Sequence, residues 1–241
     1  MGCAYGALAG SYDRLTQDVD YSCFADYYEK AFADNPGEYR LILDLCCGTG
    51  SLTAEMTKRG YEMIAVDGSV EMLMEAREKV SDMTPVPLFI CQKAEELDLY
   101  GTVDAVYSSL DSINYIAPEA IDRVFSRLSL FVRPGGLFIF DIRDEEWMKS
   151  MDGFVSVDDD TNLFCVWRAD FTERKLTYGM DIFTKEKGLW RREQEEHIEY
   201  AYSVSELEGR LRGNGFSLLC SESVEGRNGE GRVFLTAVRE P

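Results

Sequence analysis

Two acids stand at the ends of two apolar runs, spaced so that both can reach one small ligand. The first run is Leu41-Ile42-Leu43-Asp44-Leu45, and it breaks into Cys46-Cys47-Gly48-Thr49-Gly50. The run reads as a buried strand and the glycines as a tight turn where backbone comes close to a ligand. A carboxylate such as Asp44 on a buried strand needs donors, and backbone N–H groups together with a bound cation would supply them. The second run, Glu62-Met63-Ile64-Ala65-Val66, ends at Asp67, 17 residues after Gly50. That interval fits one helix and one returning strand, which makes the two strand tips neighbours. An acid in the position of Asp67 is suited to accept both hydroxyls of a ribose.

Two nucleoside ligands fit this layout, a dinucleotide and S-adenosyl-L-methionine (SAM). A dinucleotide site, as in a nicotinamide-dependent oxidoreductase, calls for Gly-x-Gly-x-x-Gly and offers a helix N-terminus to a pyrophosphate. Here Thr53 occupies the third glycine's place, and Asp44 would set negative charge against the phosphates. SAM carries an ammonium and a sulfonium and no phosphate, so the acids favour it.

With these elements in hand, the chain resembles the class I SAM-dependent methyltransferases. Asp44 to Gly50 is similar to the family's first motif and Asp67 to its ribose-binding acid. Asp67-Gly68-Ser69-Val70-Glu71-Met72-Leu73 resembles an Asp-x-Ser-x-x-Met-Leu segment whose methionine packs on adenine. Leu130 to Phe138 resembles the Pro-Gly-Gly turn before the fifth strand. Tyr12-Asp13-Arg14-Leu15 is similar to a Tyr-Asp-x-Leu segment of a bacterial small-molecule-type subgroup, which also has a strand-rich insert. The resemblance implies cofactor contacts from Tyr12, Asp44, Gly48, Gly50, Asp67 and Met72. Cys46 and Gly68, beside these, and Ser109, after the fourth strand, complete the expected set. One position departs from the family: Lys93 stands where relatives often carry an acid that accepts from the adenine amino group. Backbone at Ala94 or the Glu95 side chain then has to substitute, or packing alone holds the adenine. The fold implied is α/β and Rossmann-like, a seven-stranded mostly parallel sheet of order 3-2-1-4-5-7-6 with a small antiparallel β insert.

Bulk composition narrows the partners. The chain has 241 residues, enough for one substantial core, and its net charge of −19 leaves little basic surface to neutralise phosphates. Nucleic-acid substrates are therefore not expected. Neither is a membrane span, because no segment approaches roughly 20 apolar residues. Met1 to Gly6 lacks the basic start of a secretory signal, so the expected location is cytoplasmic. The seven cysteines include no Cys-x-x-Cys pair, and His197 is the one histidine. Reduced thiols and no metal site are expected, with Cys46, Cys47 and Cys91 on or beside buried strands. The oligomeric expectation is a monomer or a homodimer.

The remaining elements alternate. Val103 to Ser108 reads as a fourth strand, and Leu137 to Phe140 as a fifth, ending at Asp141. Pro118 suits the first turn of a helix whose apolar face is Ile121, Val124, Phe125 and Leu128. Ser69 caps a helix to about Val80, Ser203 and Glu206 form a capping box, and two closing strands flank the turn-rich 225–231. Between Trp147 and Tyr202 the pattern changes to strict alternation, the mark of half-buried antiparallel strands. Residues 1–146 and 203–241 are read as the SAM-binding core with an N-terminal helical cap. Residues 147–202 are read as an insert over the strand C-termini, on the acceptor side or as a stabilising flap. Val157 to Asp160 reads as a solvated turn.

The acceptor site is less legible than the cofactor site. The candidates for catalysis are His197, Asp111 and Tyr115. His197 lies on the strand face opposite Ile198 and Tyr200, facing either a cleft or solvent. Asp111, Asn114 and Tyr115 follow the fourth strand, where their polarity serves either an acceptor or the loop backbone. Asp141 and Arg143 either orient an acceptor or form an ion pair, and Tyr5 either closes a lid or packs. The expected reaction is in-line methyl transfer from SAM to a small-molecule N or O acceptor, leaving S-adenosyl-L-homocysteine. The alternative is a non-catalytic SAM-binding sensor or partner-binding module.

Overall fold

Strands that are apolar on both faces must be covered on both, and the chain satisfies this with helices flanking a parallel sheet. A computed structural model describes residues 12–13, 16–223 and 230–241. Tyr5, Arg14, Leu15 and the 225–229 part of the closing turn lie outside the described residues.

Helix α1 (Tyr21–Asp34) precedes β1 (Leu41–Leu45), α2 (Ser51–Lys58), β2 (Glu62–Asp67), α3 (Val70–Lys79) and β3 (Leu88–Cys91). There follow β4 (Val103–Ser108), α4 (Ile121–Phe131), β5 (Val132–Arg143) and the short α5 (Glu145–Ser150). Strands β6 (Phe154–Asp160), β7 (Leu163–Thr172), β8 (Lys175–Glu186) and β9 (Leu189–Tyr200) come next, then α6 (Val204–Gly213), β10 (Phe216–Ser223) and β11 (Arg232–Arg239). The main sheet runs β10-β11-β5-β4-β1-β2-β3, which is the expected order with β11 and β10 as the closing antiparallel pair. Strands β6 to β9 form a separate antiparallel sheet in sequential order.

Helix starts follow their capping residues. Ser69 accepts the Met72 N–H, and Ser203 with Glu206 makes the reciprocal box. One face of the sheet packs on Val124, Phe125 and Leu128 of α4 and Leu207 and Leu211 of α6. The other packs on Phe24, Tyr28 and Phe32 of α1 and Leu52 and Met56 of α2. No helix of the described residues is long and apolar enough to cross a membrane.

Several local expectations are corrected. Strand β5 starts at Val132 rather than Leu137, pairing Val103 with Val132 before the register shifts at Ala105. Pro118 lies in a turn before α4, whose first residue is Ile121. Val157 to Asp160 is edge strand, with Asp158 accepting from the Trp167 indole, rather than a turn. An edge strand tolerates acids because one of its sides meets water. Cys91 is exposed, because β3 is an edge strand of the main sheet.

Gly50 serves packing as well as the turn. Its φ is +69°, and a Cβ there would lie 2.8 Å from the Ala76 Cβ on α3. Gly50→Ala should therefore lower stability by about 2–3 kcal/mol, from left-handed strain plus the clash. Urea unfolding should show a lower midpoint at an unchanged slope.

Candidate functional site

The site forms where β1, β2 and β4 end. Pairing Leu45 with Val66 and Asp44 with Tyr107 brings the three tips side by side. They border a cavity whose lining includes Tyr12, Asp44, Cys46, Gly48, Ser109 and Leu110.

Asp44 is only 2% exposed. Its Oδ2 accepts from the Thr53 hydroxyl at 2.5 Å and the Tyr107 hydroxyl at 3.0 Å. Burial outweighs these two bonds and pushes the carboxyl up to about 7. No basic side chain contributes to that balance, so a cationic group in the cavity is the partner the chemistry lacks. Asp67 is held differently. Its Oδ2 accepts the Gly48 N–H and its Oδ1 the Ser69 N–H, each at 2.8 Å. The Gly68 N–H also leans on this carboxylate, which still has acceptor capacity for a further donor. Gly48 has φ +54°, and a Cβ there would meet nothing within 4 Å, so the backbone leaves open space at the cavity. The two acids, the glycine gap and the cavity fit a ligand with a ribose and a positive end.

The segment carrying Tyr12 is pinned by its neighbour. Asp13 accepts from Thr49 at 2.6 Å and pairs with Lys79 at 2.7 Å, and Lys79 also donates to Ser51 at 2.5 Å. Tyr12 thereby lines the cavity while packing on the buried cluster of Leu163, Cys165, Met180 and Ile182 in the second sheet. Burial raises its phenol, with Asp111 and Asp67 among the nearby charges. Ser109 shares a 2.6 Å hydrogen bond with Tyr28. Met72 is buried in the first turn of α3. Gly68 lies beside Lys93, and Ala94 and Glu95 open the short 3₁₀ turn after β3.

On the other side of the cavity, Leu110 and Asp111 both have left-handed φ, at 56° and 54°. Such residues cost about 1–3 kcal/mol each unless the surroundings enforce them. Asp141, fully buried, enforces them by accepting the Leu110 N–H at 3.0 Å and the Asp111 N–H at 2.9 Å. Arg232 bonds Asp141 and also Asp111, the latter at 2.7 Å, while Arg143 lies 3.7 Å from Asp111. The ion pair expected between Asp141 and Arg143 is not the one formed: Asp141 pairs with Arg232, and Arg143 faces Asp111 instead. Asn114 ties the sheets together: it donates to the Tyr200 carbonyl at 2.9 Å and accepts the Arg143 N–H at 2.9 Å.

Strand β9 presents its polar residues inward. Glu195, His197 and Glu199 share the buried side, whereas Ile198 is 40% exposed. His197 lies 2.9 Å from Glu195 and edge-on to Tyr115. Glu199, absent from the sequence-derived candidates, is 2% exposed and its Oε2 has no partner. Burial first, then Asp111, pushes this carboxyl well above the ordinary range, against a Tyr115 hydrogen bond and the Arg143 charge. Its one advance signal was the phase of the alternation, which a strand with acids on one side and apolar residues on the other leaves open. No cluster of three or more metal-ligating side chains occurs among the described residues.

The Asp44 balance has a thermodynamic consequence. Its folded carboxyl titrates near 7 against 3.8 unfolded, so folding is penalised as pH rises from about 4 to 7. Asp44→Asn should make the ligand-free protein more stable than wild type at pH 8, by roughly 1–4 kcal/mol. Thermal unfolding should show that gain shrinking toward pH 4, where both side chains are neutral.

Comparison with known proteins agrees with this geometry. A family model described as a methyltransferase domain matches residues 42–136, from β1 to the turn before the core of β5. The chain is 30% identical to a putative methyltransferase, YqeM, of Bacillus subtilis, over 89% of this chain and 87% of that one. It superposes with a TM-score of 0.86 on a solved S-adenosylmethionine-dependent methyltransferase from Clostridium acetobutylicum, at 27% identity over 98% and 99% of the two chains. The fold is shared also with the sugar N-methyltransferase KedS8 of Streptoalloteichus, with a TM-score of 0.85 at 17% identity over 100% and 95%. With acids at two adjoining strand tips, a seven-stranded sheet of the expected order and a full-length relative, the chain belongs to the class I SAM-dependent methyltransferases.

Proposed function

We propose that the protein methylates a small molecule at nitrogen or oxygen, by in-line displacement, beneath the β6–β9 sheet. The inward polar face of β9 carries this reading. It lies against the loop after β4, through Asn114 and Tyr115, and that loop lines the cavity with Leu110 and Ser112. A cleft between the strand tips and a covering sheet suits a metabolite rather than a duplex, and the −19 charge also disfavours nucleic acid. That KedS8, a sugar N-methyltransferase, shares this fold over its insert as well is in keeping with such an acceptor.

SAM, when bound, supplies a methyl group activated by the positive sulfur, so the chain's work is to bind, align and exclude water. In this reading Asp44 meets the cationic end and Asp67 the ribose hydroxyls. Gly48 and Cys46 line the turn, and Tyr12 covers it from the pinned Asp13 segment. Gly50 keeps α3 close, and Met72, Gly68, Ala94 and Glu95 border the adenine, with Lys93 directed away from any accepting role by its chemistry. Ser109 sits between the cofactor and the acceptor loop. His197, Tyr115 and Asp111 belong to the acceptor side. Asp111 is neutralised by two arginines, which makes it a holder of the loop rather than a base.

Isothermal titration should detect SAM and S-adenosylhomocysteine, and Asp67→Asn should weaken both by roughly 1–3 kcal/mol. The asparagine is preferred to alanine because Asp67 also holds the Gly48 and Ser69 amides. Unaltered affinity would reject the ribose assignment. A cation lowers the Asp44 carboxyl from about 7, so binding releases a proton below that pH. SAM affinity should fall as pH drops from 7 to 5.5, and Asp44→Asn should flatten the profile. Labelled SAM should transfer its methyl to a metabolite extract and not to transfer RNA or duplex DNA; transfer to nucleic acid alone would overturn the acceptor class.

A further inference from the structure

Among the described residues, two buried side-chain polar atoms lack a hydrogen-bond partner, Ser108 Oγ and Glu199 Oε2. A hydroxyl can turn toward a neighbour, but a carboxyl oxygen cannot be hidden so cheaply. Glu199 is joined to the cavity wall through the loop after β4, whose Leu110 and Ser112 line the cavity and whose Asn114 holds the neighbouring Tyr200 carbonyl. Asp111, between the cavity-lining Leu110 and Ser112, acts electrostatically on both Glu199 and Tyr12.

The groups facing Glu199 come from four elements. Asp111 belongs to the loop after β4, Tyr115 to the 3₁₀ turn, Arg143 to the end of β5 and Tyr178 to β8. His197 and Glu195, on its own strand, are occupied with each other. Three carboxyl groups, Glu199, Asp111 and Asp141, meet two guanidinium groups, Arg143 and Arg232. Arg232 is committed to the two aspartates, and Arg143 also stacks on Trp147 at 4.4 Å. When Glu199 ionises, the cluster is one positive charge short among the described residues. Two phenol rings beside the open carboxyl add surfaces that favour a cation.

We propose that Glu199 meets the methyl acceptor, that the acceptor is a protonated amine, and that this carboxylate is the base that frees its nitrogen. The inference deepens the small-molecule methyltransferase reading and rests on it. An ammonium docking at Oε2 ionises Glu199, whose own proton goes to solvent, and completes the charge balance. The base then breaks one N–H bond: the proton passes to Oε2, and the electron pair stays on nitrogen as the nucleophile. After methyl transfer the product is an N-methylated ammonium, and the proton on Glu199 leaves to solvent. Burial, which holds this carboxyl above the ordinary range, makes it a stronger base than a solvated glutamate.

The test uses the full chain saturated with S-adenosylhomocysteine and three probes of one shape: cyclohexylamine, cyclohexanol and cyclohexanecarboxylate. Titration calorimetry should show the amine bound about ten-fold or more tighter than either other probe. Infrared difference spectra at pH 7 should show one protonated carboxyl becoming carboxylate when the amine is added. Glu199→Gln should abolish both the preference and the spectral change while S-adenosylhomocysteine affinity and melting temperature hold, and Glu199→Asp should restore part of the preference. Equal binding of the three probes, no amine binding, or a preference that survives in Glu199→Gln would overturn the proposal. Loss of S-adenosylhomocysteine binding would instead count against the cofactor reading, and turnover of an alcohol without amine preference would sink this inference alone.

Discussion

The structure is organised around a carboxyl group kept out of water without a counter-charge. Asp44 is fixed at the tip of β1 by hydroxyls from α2 and β4, and those two bonds do not repay its desolvation. A free protein tolerates this by letting the carboxyl titrate near neutrality; a cationic ligand relieves it. The second acid is arranged to complement the first. Asp67 spends one lone pair of each oxygen on backbone N–H groups, which shapes the Gly48 turn and leaves acceptor capacity facing outward. One acid therefore attracts charge, and the other sets geometry.

The acceptor side repeats the principle with different parts. Asp141 spends both oxygens on two residues in left-handed conformation, and Arg232 neutralises it. That loop could not hold its shape by local preference alone, since Leu110 disfavours positive φ and Asp111 only tolerates it. Its rigidity is what lets the second sheet dock against it, through Asn114 and through Tyr202, whose hydroxyl bonds the Ile116 carbonyl. The docking turns β9 so that acids and a histidine are buried while Ile198 faces water. A strand with this inverted polarity is costly for folding alone, and its placement over the strand tips gives the cost a use.

The cofactor side was readable from residues because it is local. Strand, acid, Gly-x-Gly, strand and acid all fall between Leu41 and Asp67, and the parallel pairing of two strands joined by one helix has a single favoured arrangement. The cap at Ser69 and the box at Ser203 were equally readable, since each involves residues three apart. The acceptor side draws on positions 111 to 115, 141 to 143, 178, 195 to 199 and 232, and no spacing rule links residues so far apart. The pairing of Asp13 with Lys79 was illegible for the same reason, although it holds Tyr12 at the cavity.

By itself, then, the sequence determined the strands, the helix caps, the two acids and the kind of ligand they suit, because hydrophobic period and short-range geometry act between near neighbours; the order of the strands came from the family the chain resembles. It left open which face of β9 turns inward, for alternation gives two faces and no direction. Tertiary structure decided that, by packing β9 onto a loop whose strained backbone is held from β5 and β11. It also decided which of several polar residues are satisfied: Asp111, Asn114 and Asp141 by partners within the fold, and Glu199 by none on its Oε2. Desolvation depends on what surrounds a group in space, and that is a property no linear order of residues contains.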